Sequence, residues 1–295
     1  MGEMLGSDRT PRARLRELLA GRGPLLAPGA YDALSARLVE QAGFDAVYMT
    51  GFGTTASLIG RPDVGLLTGA EMVDNARRIA AAVDVPVIAD ADTGYGNALN
   101  VVRTVQLYEQ AGVAGIQLED QVMPKRCGHM SGKALVAADE MTGKVRAAVA
   151  ARRDPDLVVI ARTDAVAVTG VGDALERARA YADAGADLLF VEAPTTEGDV
   201  EAVATALDGV APLVFNWAEG GRTPPLSLER MRELGFALVI YPIGTLLAAT
   251  AGIRSLLAAL RAQGVPPLEG LPSFDQFTDL VGLPEVQDLE QRFAR

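Results

Sequence analysis

A single cysteine and a single histidine occur in 295 residues. One thiol cannot form an intramolecular disulfide, so nothing in the chain demands an oxidising compartment. A structural zinc site needs four cysteine or histidine ligands, and this chain has two such residues. Cations are in the minority: 27 Lys and Arg against 38 Asp and Glu give a formal charge of −11. That balance excludes nucleic acid as the main partner, because phosphate recognition needs clustered cations. No apolar run is expected to reach the length that spans a membrane. The N-terminal stretch MGEMLGSDRTPRARLRELLAGRG lacks an apolar signal-peptide core, and its Glu3, Asp8 and Glu17 oppose a transit peptide. A cytoplasmic protein is expected, beginning with a helix that has Thr10 as N-cap and Pro11 at its first position.

Apolar residues are 49% of the chain and charged residues 22%, enough for one sizeable α/β core. Four stretches resemble one another: EQAGFDAV, EQAGVAGI, ADAGADLL and RELGFALV. Each ends a helical pattern on a glycine (Gly43, Gly112, Gly185, Gly235) and runs into an apolar strand. Between them lie strands entered through or after a proline: PVIADAD, DLVVIART and PLVFNW, with PLLAPGA ahead of the first. Helical patterns such as GAEMVDNARRIAAAV, NALNVVRTVQLYEQAG and GDALERARAYADAG separate them. Eight short strands alternating with helices predict a (β/α)8 barrel as one domain over 1–295. A doubly wound sheet alternates in the same way, but no phosphate-binding GxGxxG accompanies these strands.

In a barrel the chemistry sits at the C-terminal ends of the strands. Here those ends read YMTGFG, DADTGYG, QLEDQ, ARTD, VEA and FNWAEGG. Asp90 and Asp92 share one face of an extended strand, and Glu119 ends its neighbour. Three carboxylates without a histidine cluster suit a hard cation, Mg2+ or Mn2+, that keeps several waters. The competing reading has Asp90 and Asp92 capping a helix or pairing with Arg162. Arg162 presents a bidentate fork for a substrate carboxylate, or else an ion pair with Glu192 or Asp164. Asn216 contacts substrate or satisfies a loop backbone, and Trp217 reads as core.

The only thiol and the only imidazole, Cys127 and His129, stand two apart in KRCGHMSGK, directly after the fourth strand. Lys125 and Arg126 are expected to lower the cost of a thiolate, and His129 to share its proton. The bland alternative is a buried, inert cysteine. This run is polar and carries no apolar stripe to bury, which favours a catalytic loop.

Taken together, YMTGFG, DADTGYGN, LEDQ, KRCGH, ARTDA, VEA and NWAEGGRTP resemble the isocitrate lyase/phosphoenolpyruvate mutase superfamily over about 28–242. KRCGH marks its carbon–carbon lyases. The resemblance implies a barrel whose last helix is exchanged between subunits of a homotetramer, with 245–295 serving assembly. It implies Mg2+ held by Asp90 and Asp92, directly or through water, with Glu119 in support. Thr50, Gly51 and Phe52 match a cradle for a substrate carboxylate. Gly128, Arg162 and Asn216 match further substrate contacts. Cys127 matches the catalytic acid, and Tyr48 and Glu192 are the candidate bases. The implied reaction cleaves a 2-hydroxy di- or tricarboxylate into a 2-oxo acid, such as pyruvate, and a carboxylate.

Three departures bear on the substrate. Leu247 stands where the methylisocitrate-cleaving branch has an arginine, Ala218 replaces a hydroxyl donor, and Phe52 replaces a glycine. An unpaired substrate carboxylate is expensive to desolvate there, so an alkyl-substituted malate is expected. Pro242 occupies a position where the oxaloacetate-hydrolysing branch tends to carry serine. A phosphonomutase and a non-catalytic dicarboxylate-binding barrel are the other readings.

Overall fold

The computed structural model describes residues 10–21 and 23–294. Glu3 and Asp8, which enter the transit-peptide reading, lie outside them. Eight parallel strands close into one barrel in chain order: β1 (Leu25–Ala30), β2 (Val47–Met49), β3 (Val87–Asp90), β4 (Gly115–Glu119), β5 (Val158–Thr163), β6 (Leu188–Val191), β7 (Leu213–Asn216) and β8 (Phe236–Tyr241). Closure is made by β1 on β8, in register from Leu25 with Leu238 to Pro28 with Tyr241. The helices that matter below are α1 (Pro11–Leu19), α2 (Ala33–Gln41), α3 (Gly51–Ile59), α4 (Gly69–Ala80), α5 (Ala98–Gln110), α6 (Ala138–Ala151), α7 (Val171–Asp183), α8 (Glu197–Ala206), α9 (Leu228–Glu233) and α10 (Gly244–Gln263).

The glycine punctuation is real. Gly43, Gly112, Gly185 and Gly235 follow α2, α5, α7 and α9 with φ of 87°, 89°, 100° and 76°. Such left-handed residues release each helix toward the next strand, and a Cβ there would strain the turn. Amphipathic spacing then seats the helices. In α4, for example, Met72, Val73, Ala76 and Ile79 are buried, and a capping box joins Thr68 and Glu71 at its start.

Alternation along the strands makes two cores. Tyr48, Ile88, Ile160, Phe190, Val214 and Leu238 fill the barrel, while Met49, Val87, Ile116, Val159 and Leu189 pack against the helices. Leu15 of α1 belongs to the inner core and is fully buried. Arg12 Nε reaches Val113 O at 3.1 Å, and Arg16 Nη2 reaches Asp187 Oδ1 at 3.0 Å. So α1 plugs the N-terminal mouth of the barrel and leaves the other end for chemistry. Thr10 is its N-cap residue by backbone conformation, but its side chain makes no capping hydrogen bond.

One expectation about apolar runs needs correction. α10 has 20 residues, a mean hydropathy of 1.3 and no buried residue, so by length and composition it is apolar enough to cross a membrane. Only its start is fastened to the barrel, where Thr245 Oγ1 donates to Gly29 O at 2.6 Å. Ile253 and Leu257 are more than half exposed, and the following helices, α11 (Phe274–Leu280) and α12 (Leu283–Phe293), also bury no residue.

Candidate active site

Parallel closure delivers every polar strand end to the same rim. A cavity of about 190 Å3 opens there, lined by Tyr48, Thr50, Phe52, Asp90, Glu119, Arg162, Glu192 and Asn216. The loop after β4 adds Lys125, Cys127, Gly128, His129 and Met130, and residues 218–221 with Pro242 and Ile243 complete the wall. Thr50 is the N-cap of α3 and accepts the Gly53 N–H at 3.2 Å. Thr50, Gly51 and Phe52 are therefore the opening turn of a helix, whose free amides suit an anion. A Cβ on Gly51 would lie 2.5 Å from Asp90 Oδ2, so only glycine permits that approach.

The thiol loop is pinned at several points. Gln121 Nε2 donates to Arg126 O at 2.8 Å, and its Oε1 accepts the Arg126 N–H at 2.9 Å. Cys127 N–H donates to Asp63 O at 3.2 Å. The Lys125 ammonium is buried, 2.7 Å from Asp63 Oδ1 and 2.7 Å from Asp92 Oδ1. Its charge is thus neutralised locally and does not stabilise a thiolate. Burial pushes the Cys127 thiol up to about 11, and the His129 backbone N–H and Arg162 oppose this without winning. The expected activation to a thiolate is therefore wrong: Cys127 is a protonated acid at neutral pH.

His129 does not share the thiol proton either, because both ring nitrogens are engaged elsewhere. Nδ1 accepts the Arg222 N–H at 3.0 Å, and Nε2 lies 3.2 Å from Glu192 Oε1. Burial lowers the imidazole below its usual value, so the neutral ring carries its proton on Nε2, facing Glu192. Asn216 Nδ2 donates to the same carboxylate, 3.2 Å from Oε2. Ala193, directly after Glu192, has φ of 56°, and Asp92 has φ of 49°. Such left-handed backbone costs on the order of 1–3 kcal/mol per residue and persists where the surrounding fold dictates it.

Arg162 resolves in favour of the ion pair. Its Nε and Nη2 each lie 3.0 Å from an Asp164 oxygen, the fork expected of a substrate carboxylate. Glu119 Oε2 stands 3.4 Å from Nε, and the Phe190 ring lies 5.2 Å from the guanidinium. Burial works to raise Asp164, but Arg162 and Lys133 outweigh it and hold the carboxyl at about 2. Tyr48 is a hydrogen-bond donor here: its OH meets Gln117 Oε1 at 3.0 Å. Burial first, then the Asp90 charge, raise its phenol well above the usual range, which disfavours it as a base.

The carboxylates fit a hard cation in part. Asp90 and Glu119 line the cavity, and Glu119 Oε1 is buried without a hydrogen-bond partner. Burial, followed by the neighbouring Asp92 charge, lifts Asp90 to about 6. Asp92 Oδ1 meets Lys125 at 2.7 Å, off the hydrogen-bond axis, and does not line the cavity. Among the described residues no three Asp, Glu, His or Cys side chains converge on one point. The expected set of three is therefore not a closed cage, and a cation held there would keep water in its shell, as Mg2+ does.

Leu247, like Asp92, is an expected site residue that does not line the cavity. Its N–H donates to Ile243 O at 3.0 Å, so it sits one helical turn beyond the wall, and it is 46% exposed. Pro242 and Ile243 line the position expected of it, beside Phe52 and Ala218. Sequence reasoning missed Asp63, Lys133 and Glu219, whereas Asp164 is the partner it offered as the alternative for Arg162. Lys133 stood at the end of KRCGHMSGK without a role, and nothing local marks Asp63. Trp217 is core-facing as expected, with Nε1 donating to Leu226 O at 3.0 Å.

The chain matches the phosphoenolpyruvate phosphomutase family over residues 15–261. It is 48% identical to 2,3-dimethylmalate lyase of Eubacterium barkeri, covering 96% of this chain and 98% of that protein. It is 42% identical to the chloroplastic carboxyvinyl-carboxyphosphonate phosphorylmutase of Arabidopsis thaliana, covering 96% of this chain and 85% of that one. A crystal structure of 2,3-dimethylmalate lyase superposes with a TM-score of 0.92 at 41% identity, covering 98% and 97% of the two chains. Phosphonopyruvate hydrolase in complex with oxalate and Mg2+ superposes at 0.88 with 34% identity, covering 97% and 100%.

Proposed function

The chain belongs to the phosphoenolpyruvate mutase/isocitrate lyase superfamily, and on that footing we propose that its rim cavity cleaves the C2–C3 bond of a 2-alkylmalate. The products are a 2-oxo acid, such as pyruvate, and a carboxylate. The observation that carries this reading is that Cys127, whose ionisation burial opposes, lines the same cavity as Arg162, Glu192, Thr50 and Phe52. A lyase needs a proton donor for the carbanion-like product, and a thiol that stays protonated supplies it.

Asp90, with Glu119 and Asp92 in support, would hold a hard cation such as Mg2+, which would supply Lewis acidity toward the substrate carboxylate and hydroxyl. The α3 amides and Arg162 hold negative charge that develops as the bond breaks. Glu192, oriented by Asn216 and the His129 Nε2 proton, accepts the hydroxyl proton. The electron pair of the C2–C3 bond passes to the departing fragment. Cys127 then gives its proton to that carbon. Phe52, Ala218, Pro242 and Ile243 present an apolar wall, where an alkyl group gains by burial and a further carboxylate finds no cation.

Identity to the phosphorylmutase supports a second reading, phosphorus–carbon bond formation in the same cavity. A 2-oxo-acid release assay over 2,3-dimethylmalate, methylisocitrate, isocitrate and oxaloacetate, with and without EDTA, tests the proposal. The expected result is EDTA-sensitive pyruvate release with kcat/KM for dimethylmalate at least about tenfold above that for methylisocitrate, which one apolar wall can supply. A preference for methylisocitrate removes the wall from the account. Phosphonate rearrangement without malate cleavage selects the second reading.

A further inference from the structure

Two buried ammonium groups flank the thiol loop: Lys125, between Asp63 and Asp92, and Lys133. Lys133, at the far end, has 1% of its side chain exposed and lies 2.9 Å from Asp164 Oδ1, a carboxylate with 0% exposed. The same Nζ hydrogen-bonds Gly128 O, the carbonyl of the residue after Cys127. Asp164 in turn holds the Arg162 fork. Asp164 is itself fixed from behind, its N–H donating to Asp120 Oδ1 at 2.9 Å. The loop backbone at 128 is therefore linked to the guanidinium of the cavity through Lys133 and the Asp164 carboxylate they share.

We propose that Lys133 is a positioning residue, a latch that fastens the 125–133 loop over the cavity and sets the thiol and the Arg162 fork in register. The catalytic consequence rests on the lyase reading above, whereas the latch itself does not. A cation suits the position because it satisfies a carbonyl and a carboxylate at once in a dry site. Opening the loop must withdraw Lys133 from Asp164 and leave a buried carboxylate with Arg162 alone, which opposes opening. Gly128 lets the loop backbone lie close to the cavity's charged pair: a Cβ there would collide with Glu192 Oε1 and lie 2.5 Å from Arg162 Nη2. Lys125, on Asp63 and Asp92, fastens the start of the loop, and the Arg222 tether on His129 is exposed, so Lys133 is the buried charged tether at the far end.

The test uses the single cysteine as its own probe. Lys133→Met keeps the unbranched stem, one atom shorter, and removes the charge. In the full-length protein, iodoacetamide alkylation of Cys127 should accelerate at least about tenfold, because local opening is less opposed. Pyruvate release from dimethylmalate should fall at least about tenfold in kcat, with a smaller change in KM, since the loss is of alignment. Lys133→Arg, which keeps the cation, should recover part of both. A purely structural role would lower the melting temperature and leave both rates of the folded enzyme unchanged, and that outcome overturns the latch. If wild-type protein cleaves no malate but Lys133→Met still accelerates alkylation, the latch stands and the lyase reading fails. If Lys133→Met does not fold, hydrogen exchange of the wild type decides. Joint protection of the Cys127 and Met130 amides supports the latch, and exchange at unstructured-loop rates refutes it.

Discussion

Iodoacetamide applied to the native protein over a pH series reads one thiol, because Cys127 is the only cysteine of the chain. Burial raises that thiol from 9.0 to about 11. At pH 8 the thiolate fraction is then about 100-fold lower than for an unshifted thiol, each pH unit being a factor of ten in population. A more basic thiolate is more nucleophilic, which returns roughly eightfold at a Brønsted slope of 0.4–0.5. Ionisation alone should therefore slow alkylation about tenfold relative to the urea-unfolded chain, before any steric shielding by the loop. The native rate should climb tenfold per pH unit to about pH 10, whereas the unfolded chain levels off near pH 9. A folded pKa above the unfolded one means the native state holds the proton more tightly. That contribution is complete below pH 9 and is lost as pH rises toward 11. Mass spectrometry of quenched samples gives both rates. A native rate that levels off near pH 9 would falsify the upward shift, and one that levels off below about pH 7 would remove the protonated acid and with it the proton donor in the proposed cleavage.

Cys127→Ser should fold normally and lose about 10²–10⁴-fold in kcat, since a hydroxyl is a much weaker acid; near wild-type turnover by coupled pyruvate assay makes the thiol a bystander. Gly128→Ala places a methyl 2.5 Å from Arg162 Nη2 and should cost about 1–3 kcal/mol with a matching loss of turnover; an unchanged urea midpoint and kcat contradict the close approach. Light scattering at micromolar concentration should give a homotetramer, covering the exposed apolar faces of α10 to α12; a particle of 30.9 kDa refutes the assembly.

The barrel was legible because its signals are local. A glycine that closes a helix, a proline that opens a strand and a 3.6-residue apolar period each act within a few residues, and eight repetitions specify the closed sheet. Barrel topology then converts strand ends into a shared rim, which placed Asp90, Glu119, Arg162, Glu192 and Asn216 together before any coordinates. Cys127 and His129 were adjacent in the chain and needed no fold to be paired. What they do was decided at a distance. Lys125 meets an aspartate 62 residues away, and Lys133 meets one 31 residues away. The first aspartate neutralises Lys125, one of the two cations that sequence alone assigned to the thiol, and the second occupies Lys133, to which sequence gave no role. Burial, which depends on the whole rim closing, then makes Cys127 an acid instead of a thiolate. Leu247 failed for a related reason: one turn of α10 carries it past the wall, and a rise of about 5.4 Å is invisible in sequence order. Composition and periodicity dictate where the elements lie. Charge state and reach are set by which distant side chains the closed barrel brings within 3 to 4 Å, because electrostatics in a dry cavity depend on neighbours in space.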